Sequence, residues 1–192
     1  MRIIFVIIFN LFVQSAFCQV DNQNFDFEDG TSSSKMPKKW MHLEKVSNYI
    51  YDLDSVVKHS GKFSLRIQGD SENLDHSFGN AAYKIDNIHN RKKVELRGYM
   101  KFSDIKGRVG LYVRINNKDT VLKIESMMKS PVLKGNKDWA RYSVSVSLND
   151  EATAIYVGAT ILGTGKLWID DFRVLVDGKE LDDDIAVHND RD

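Results

Sequence analysis

The clearest regularity in the chain is an alternation of apolar and polar residues with a period of two. Tyr142, Val144, Val146 and Leu148 are apolar, and Ser143, Ser145 and Ser147 separate them. Phe63, Leu65 and Ile67 alternate in the same way around Ser64 and Arg66, and Val94 to Phe102 repeats the pattern. Successive side chains of a strand point to opposite faces, so these are strands of a sheet with one buried face. Further strands are expected at residues 109–115, 121–124 and 154–159, at 49–51 and 81–85, and as a short first strand at Phe25–Phe27. The last long strand spans Lys166 to Val174, with Leu167, Ile169 and Asp171 on one face and Trp168, Asp170 and Phe172 on the other. Turns built from Asn, Asp and Gly separate these runs, among them Asn116–Asp119, Asn149–Glu151 and the hairpin signal Asp177-Gly178. Polar loops are expected from Thr31 to Lys39 and from Gly69 to Gly79. No stretch between Phe25 and Val176 carries a long helical period, so the expected fold is all-β, two antiparallel sheets packed as a sandwich.

The 192 residues suit one domain, expected over 24–180, with an acidic, flexible tail over 181–192. Lys plus Arg and Asp plus Glu number 27 each, which leaves no basic excess of the kind a nucleic-acid partner selects. The short basic cluster Arg91-Lys92-Lys93 reads as a solvated turn. Arg2, the apolar run Ile3–Val13 and the small residues Ala16 and Cys18 form a signal peptide over 1–18. That run is shorter than the ~20 residues of a membrane span, so no transmembrane anchor is expected after cleavage. The protein is expected to be secreted or to reside in the periplasm or cell envelope. In the alternative, Cys18 carries a lipid, although Phe17 stands where a lipoprotein signal holds a small residue. Cys18 is the only cysteine, so no disulfide staples the chain and thiol chemistry leaves with the signal.

Few residues point to chemistry. The five histidines lack zinc-protease spacing, no nucleophile elbow occurs, and Gly107–Gly110 and Gly163–Gly165 lack the strand-to-helix setting of a phosphate loop. The pair Asp170-Asp171 either satisfies backbone donors or binds a hard cation. Calcium takes several oxygen ligands. Glu28 closes the first strand and Asp171 lies in the last long one; in a sandwich whose terminal strands are neighbours the two carboxylates would meet, and backbone oxygens of the turn from Ser60 to Lys62 would complete such a site. The three tryptophans Trp40, Trp139 and Trp168 serve either packing or an aromatic platform. Trp40, Tyr49 and Tyr51 sit in loop-rich sequence and are the better platform candidates.

Several segments taken together resemble a known module. They are Phe25-Asp26-Phe27-Glu28, His59-Ser60-Gly61-Lys62-Phe63-Ser64-Leu65, Leu96-Arg97-Gly98-Tyr99-Met100-Lys101, Gly110-Leu111-Tyr112-Val113-Arg114-Ile115, Lys134 to Tyr142, and Gly163 to Asp171. In order and spacing they resemble the galactose-binding-like jelly-roll module that precedes the catalytic domain in secreted tail-specific (C-terminal processing) serine peptidases, and related carbohydrate-binding modules. The resemblance runs from about Asn24 to Asp177. It implies a jelly-roll β-sandwich, and a structural calcium at positions matching Glu28, the Ser60–Lys62 turn and Asp171. It implies no peptidase serine or lysine. The expected function is non-catalytic binding of carbohydrate or another envelope ligand by a face bearing Trp40, Tyr49, Tyr51 or Tyr112, with Arg114 fixing orientation. The alternatives are a structural or protein-interaction module serving a partner such as an envelope protein, and an unrecognised hydrolase.

Overall fold

The computed structural model describes residues 23–31, 35–43, 48–69, 78–129 and 131–181. The expected signal peptide, with Cys18, and the tail beyond Leu181 lie outside the described residues. Every regular element among the described residues is a strand: β1 (Trp40–Met41), β2 (Tyr49–Asp54), β3 (Ser64–Gly69), β4 (Phe78–Asp86), β5 (Lys93–Asn117), β6 (Thr120–Ser126), β7 (Leu133–Ser147), β8 (Ala154–Leu162), β9 (Gly165–Val176) and β10 (Lys179–Glu180). All pairings are antiparallel. The order is β1-β4-β8-β5-β9-β3-β2, with β6 and β7 also on β5 and β10 on β9.

The two expected sheets form one curled antiparallel sheet. The cause is β5, which runs for 25 residues. Its first part pairs with β7 and β9, and its second part pairs with β8 and β6. The expected strands at 94–102 and 109–115 are therefore a single element. The chain between them bends without turning back: the register with β7 shifts repeatedly from Met100 to Val109, and Asp104 adopts φ 56°. Bulges of this kind add twist and let a sheet curl. The inward-facing residues of β5, among them Leu96, Met100, Val109, Leu111 and Val113, are fully buried against Leu65, Ile67, Ile155, Ile161, Leu167 and Ile169.

Three other expectations change. Phe25–Phe27 is a turn, with Phe27 at φ 62°, yet Phe27 is fully buried and the Phe25 carbonyl accepts the Phe172 N–H. The chain here serves as an anchor and contributes no strand to the ladder. β7 begins at Leu133, well before the clean alternation at Tyr142, because pairing with β5 extends it through polar, exposed sequence. Leu181, expected to open the flexible tail, is buried and donates its N–H to the Val174 carbonyl. The Asp177-Gly178 hairpin forms as expected, both residues at positive φ between β9 and β10.

The alternation in β9 breaks at Asp171. Tyr99 faces Asp170 and Arg97 faces Arg173, so Asp171 and Phe172 together oppose Gly98. Asp171 takes φ 49°, the left-handed conformation of a bulge residue. The extra residue carries Phe172 across to the core side, where it packs near Phe27 and Trp40 at centroid distances of 5.5 and 5.6 Å. Gly98 makes room for it: a Cβ there would lie 2.3 Å from the Phe172 ring. Gly98→Ala is therefore expected to destabilise the protein by about 1–3 kcal/mol through overpacking. Urea unfolding would measure it, and double replacement with Phe172→Leu should recover part of the loss.

Candidate functional site: a cleft on the outer face of the sheet

The residues of β5 that point away from the core are Arg108, Gly110, Tyr112 and Arg114. The register sets each beside the outward residues of its neighbours. Arg108 lies opposite Leu162, Gly110 opposite Thr160, Tyr112 opposite Gly158 and Arg114 opposite Tyr156. On β4, Phe78 pairs with Leu162 and Asn80 with Thr160. On β6, Ser126 pairs with Tyr112 and Ile124 with Arg114. These side chains, joined by Leu43 and Met128, enclose a cleft of about 290 Å³. Its walls are largely apolar. Gly110 and Gly158 sit where neighbours pack closely: a Cβ at Gly158 would fall 1.9 Å from the Ala81 carbonyl oxygen and one at Gly110 3.0 Å from Met127 Cβ.

The polar groups of the cleft are held in place. Asn80 accepts the Leu43 N–H at its Oδ1, 2.9 Å away, and its own N–H donates to the Tyr51 hydroxyl. Its carboxamide orientation is thereby fixed, and its Nδ2 is left buried without a partner among the described residues. The Tyr112 hydroxyl is likewise buried and unpartnered, and burial raises its pKa strongly, so it stays protonated. Arg114 donates from Nε to Asn116 Oδ1 at 2.9 Å and lies 5.4 Å from the centre of the Tyr156 ring, a cation–π distance. Arg108 donates from Nη1 to the Met128 carbonyl at 3.2 Å. Thr160 Oγ1 donates to the Gly79 carbonyl.

The aromatics expected to form a platform are thus sorted by the fold. Tyr112 and Arg114 belong to the cleft. Tyr51 supports it from beside, half-buried, with its ring 4.0 Å from that of His42 and its pKa pushed up to about 12 by burial. Trp40 and Tyr49 are corrected: both are core residues. Trp40 donates its Nε1–H to the Asn24 carbonyl and lies within 6 Å of the rings of Phe27, Tyr83 and Phe172. Tyr49 donates its hydroxyl to the Gly163 carbonyl from a position 7% exposed. Loop-rich flanking sequence did not mean a surface position, because β1 and β2 join the sheet and turn these rings inward. Asn80, Arg108 and Thr160 were missed. The signal for Arg108 was present in the alternation Arg108, Gly110, Tyr112, Arg114 opposite Val109, Leu111, Val113, Ile115.

The acids named for calcium meet at a different place, the turn from His59 to Phe63. Glu28 Oε1 accepts the N–H groups of Lys62 and Phe63 at 2.7 and 3.0 Å. Asp170 Oδ2 accepts those of His59 and Ser60 at 2.8 and 3.1 Å. Asp171 binds the Ser60 hydroxyl through Oδ1 and His59 Nδ1 through Oδ2. The His59 ring stacks on Tyr99, with Trp139 edge-on to it. Glu28, Ser60, Lys62 and Asp171 are thus gathered at one turn, where the acids satisfy backbone N–H donors. Trp168 lies outside the core cluster and donates its Nε1–H to Asp54 Oδ2. Among the described residues no three His, Cys, Asp or Glu side chains group around a common metal position.

No protein-family profile matches the sequence, and no curated protein matches it. Solved structures do. The enzymatically active domain of tailspike protein 4 from bacteriophage CBA120 superposes at a TM-score of 0.58 with 10% identity, over 82% of this chain. The present chain spans 21% of that one. The CBM22-1 xylan-binding domain of Paenibacillus barcinonensis Xyn10C gives 0.52 with 14% identity, over 79% of this chain and 91% of that. TmCBM61, solved in complex with β-1,4-galactotriose, gives 0.50 with 12% identity, over 83% and 99%. The fold is therefore a curled antiparallel sheet of the jelly-roll kind found in carbohydrate-binding modules.

Asp170 is fully buried without a cationic partner, and burial raises its pKa from an ordinary 3.8 to about 6 despite the N–H bonds it accepts. A carboxyl whose folded pKa lies above its unfolded value binds a proton more readily in the native state. Its contribution therefore favours folding at low pH and declines as pH rises from about 4 to 6, by up to about 3 kcal/mol. The difference in unfolding free energy between wild type and Asp170→Asn should change across that window and be flat above pH 7. Chemical denaturation at stepped pH would measure it.

Proposed function

We propose that the protein is a non-catalytic carbohydrate-binding module whose site is the cleft between Arg108 and Arg114. One observation supports this reading above the others. Beneath a mainly apolar recess on the curled sheet lie two buried hydrogen-bonding atoms, Tyr112 Oη and Asn80 Nδ2, that have no partner among the described residues. A buried polar group without a partner costs about 1–3 kcal/mol. The Tyr112 hydroxyl and Asn80 Nδ2 give a hydroxylated ligand, or a water bridging to it, something to pair with. The flat apolar walls, Phe78 among them, suit the C–H face of a sugar ring. Resemblance to modules named for xylan and galactotriose adds to the reading. A glycan screen followed by calorimetry tests it: binding to at least one saccharide is expected, without its cleavage. Absence of binding to every saccharide at millimolar concentration would reject it.

Tyr112→Phe separates the two effects of the hydroxyl. Removing an unpartnered buried group should raise unfolding free energy by about 1 kcal/mol, visible as a higher Tm. The same change should weaken glycan binding. A lower Tm would place a partner on that hydroxyl.

We propose further that calcium adds to the stability of the His59–Phe63 turn, held by Glu28 and Asp171 with backbone oxygens of Ser60 and Lys62. Two carboxylates completed by backbone oxygens need no cluster of three acids. None of Glu28, Asp170 and Asp171 is paired with Lys or Arg among the described residues, which leaves charge for a cation to neutralise. The N–H bonds that Glu28 already accepts at Oε1 compete with that role. Melting in calcium against melting in chelator decides: a rise of several degrees with calcium is expected, and coincident curves would leave the hydrogen bonds alone as the lock.

A further inference from the structure

The cleft is one-sided in its chemistry. Its polar lining consists of Arg108, Arg114, Asn80, Tyr112, Ser126 and Thr160, and no Asp or Glu is among the lining residues. The free polar atoms are chiefly donors. Asn80 turns Nδ2 away from Leu43, which holds its Oδ1, and this Nδ2 is buried without a partner among the described residues. Both guanidinium groups are fixed at one edge, Arg114 by Asn116 and Arg108 by the Met128 carbonyl, which leaves their other N–H groups uncommitted. Three other arginines are paired, Arg66 with Asp52, Arg97 with Glu95 and Arg173 with Glu180, while Arg91 and Arg141 on other parts of the surface form no ion pair among the described residues. Among the described residues neither Arg108 nor Arg114 forms an ion pair.

We propose that the cleft selects acidic oligosaccharides, chains bearing uronate carboxylates, over neutral ones. The inference rests on the carbohydrate-binding reading and adds the charge of the ligand to it. A guanidinium already anchored at one N–H offers a carboxylate a preorganised fork, and each arginine can engage its own carboxylate along a chain. The spacing bears on ligand length. Arg108 and Arg114 stand six residues apart on one strand, roughly 20 Å along it, so a chain is needed to engage both. A fatty acid or another aliphatic anion would satisfy an arginine but would lay an apolar tail over Tyr112 and Asn80 and leave their polar atoms unpaired. A polyhydroxylated acid meets both requirements. Tyr112 Oη and Asn80 Nδ2 lie beneath the surface, so their pairing requires side chains over them to shift on binding.

Calorimetry on the full chain tests the proposal with five probes: tetragalacturonate, tetramannuronate, methyl-esterified tetragalacturonate, neutral galactotetraose, and laurate. Tetragalacturonate and tetramannuronate, as alternative acid chains, should bind at least tenfold tighter than the ester and the neutral chain. Their affinity should fall as salt is raised from 50 to about 300 mM. Arg108→Gln and Arg114→Gln should each weaken acid binding about tenfold and bring it toward that of the ester, with Arg114→Lys intermediate. Arg108 is exposed, so its variant reports even where Arg114→Gln misfolds. Equal affinity for acid, ester and neutral chains would overturn the charge selection and leave the carbohydrate reading standing. Binding of laurate alone would overturn both, as would failure of every glycan to bind.

Discussion

The alternation along β5 governs both the interior and the site. A strand cannot bury one set of side chains without presenting the other. Val109, Leu111, Val113 and Ile115 are drawn inward by the hydrophobic effect, and Arg108, Gly110, Tyr112 and Arg114 are placed outward as a consequence. Pairing with β8 and β6 then sets Thr160, Leu162, Ser126 and Ile124 beside them. Burial of an apolar side chain is worth about 1.5–3 kcal/mol, so a one-residue slip that reversed the faces would be heavily disfavoured. The cleft thus has its backbone geometry enforced by the core behind it, with the Arg114 and Arg108 guanidinium groups each anchored at one N–H.

A second constraint closes the other part of the sheet. β9 must supply Leu167 and Ile169 to the core and also Phe172, Val174 and Val176, which are out of phase with them. The bulge at Asp171 resolves the conflict. It also turns two carboxylates toward the His59–Phe63 turn, and with Glu28 they tie the N-terminal anchor, this turn and the last long strand together. The chain has no second cysteine with which to do so. Charge-assisted hydrogen bonds to backbone N–H groups are among the stronger polar contacts available. Asp170 carries the cost of that arrangement as a raised pKa.

Strand positions were legible in the sequence wherever one face is buried, because burial imposes period two: residues 64–67, 94–102, 109–115 and 142–147 all lie in strands. Less legible were elements whose pairing is supplied by a neighbour rather than by their own pattern. The polar start of β7 and the short β1 are of this kind. The continuity of β5 was hidden by the Gly107–Gly110 segment, which reads as a turn, whereas the strand there only bends, with Asp104 at φ 56°. The out-of-phase position of Phe172 depends on Gly98, a residue distant in sequence. Of the residues named for a binding face, Tyr112 and Arg114 line the cleft because they lie two apart in a regular strand. Trp40 and Tyr49 were misplaced because sequence neighbours say little about which ring is covered by a distant strand. Asn80 carries no local signal; its importance arises from Leu43 and Tyr51, which the fold brings to it.

The most direct test of the central claim is NMR titration of the labelled protein with a bound saccharide, with backbone and side-chain resonances assigned. The account predicts perturbations concentrated at Phe78, Asn80, Arg108, Tyr112, Arg114 and Thr160, with the guanidinium signals among the largest. Perturbations confined to His59, Tyr99 and Trp139, on the other part of the sheet, would contradict it.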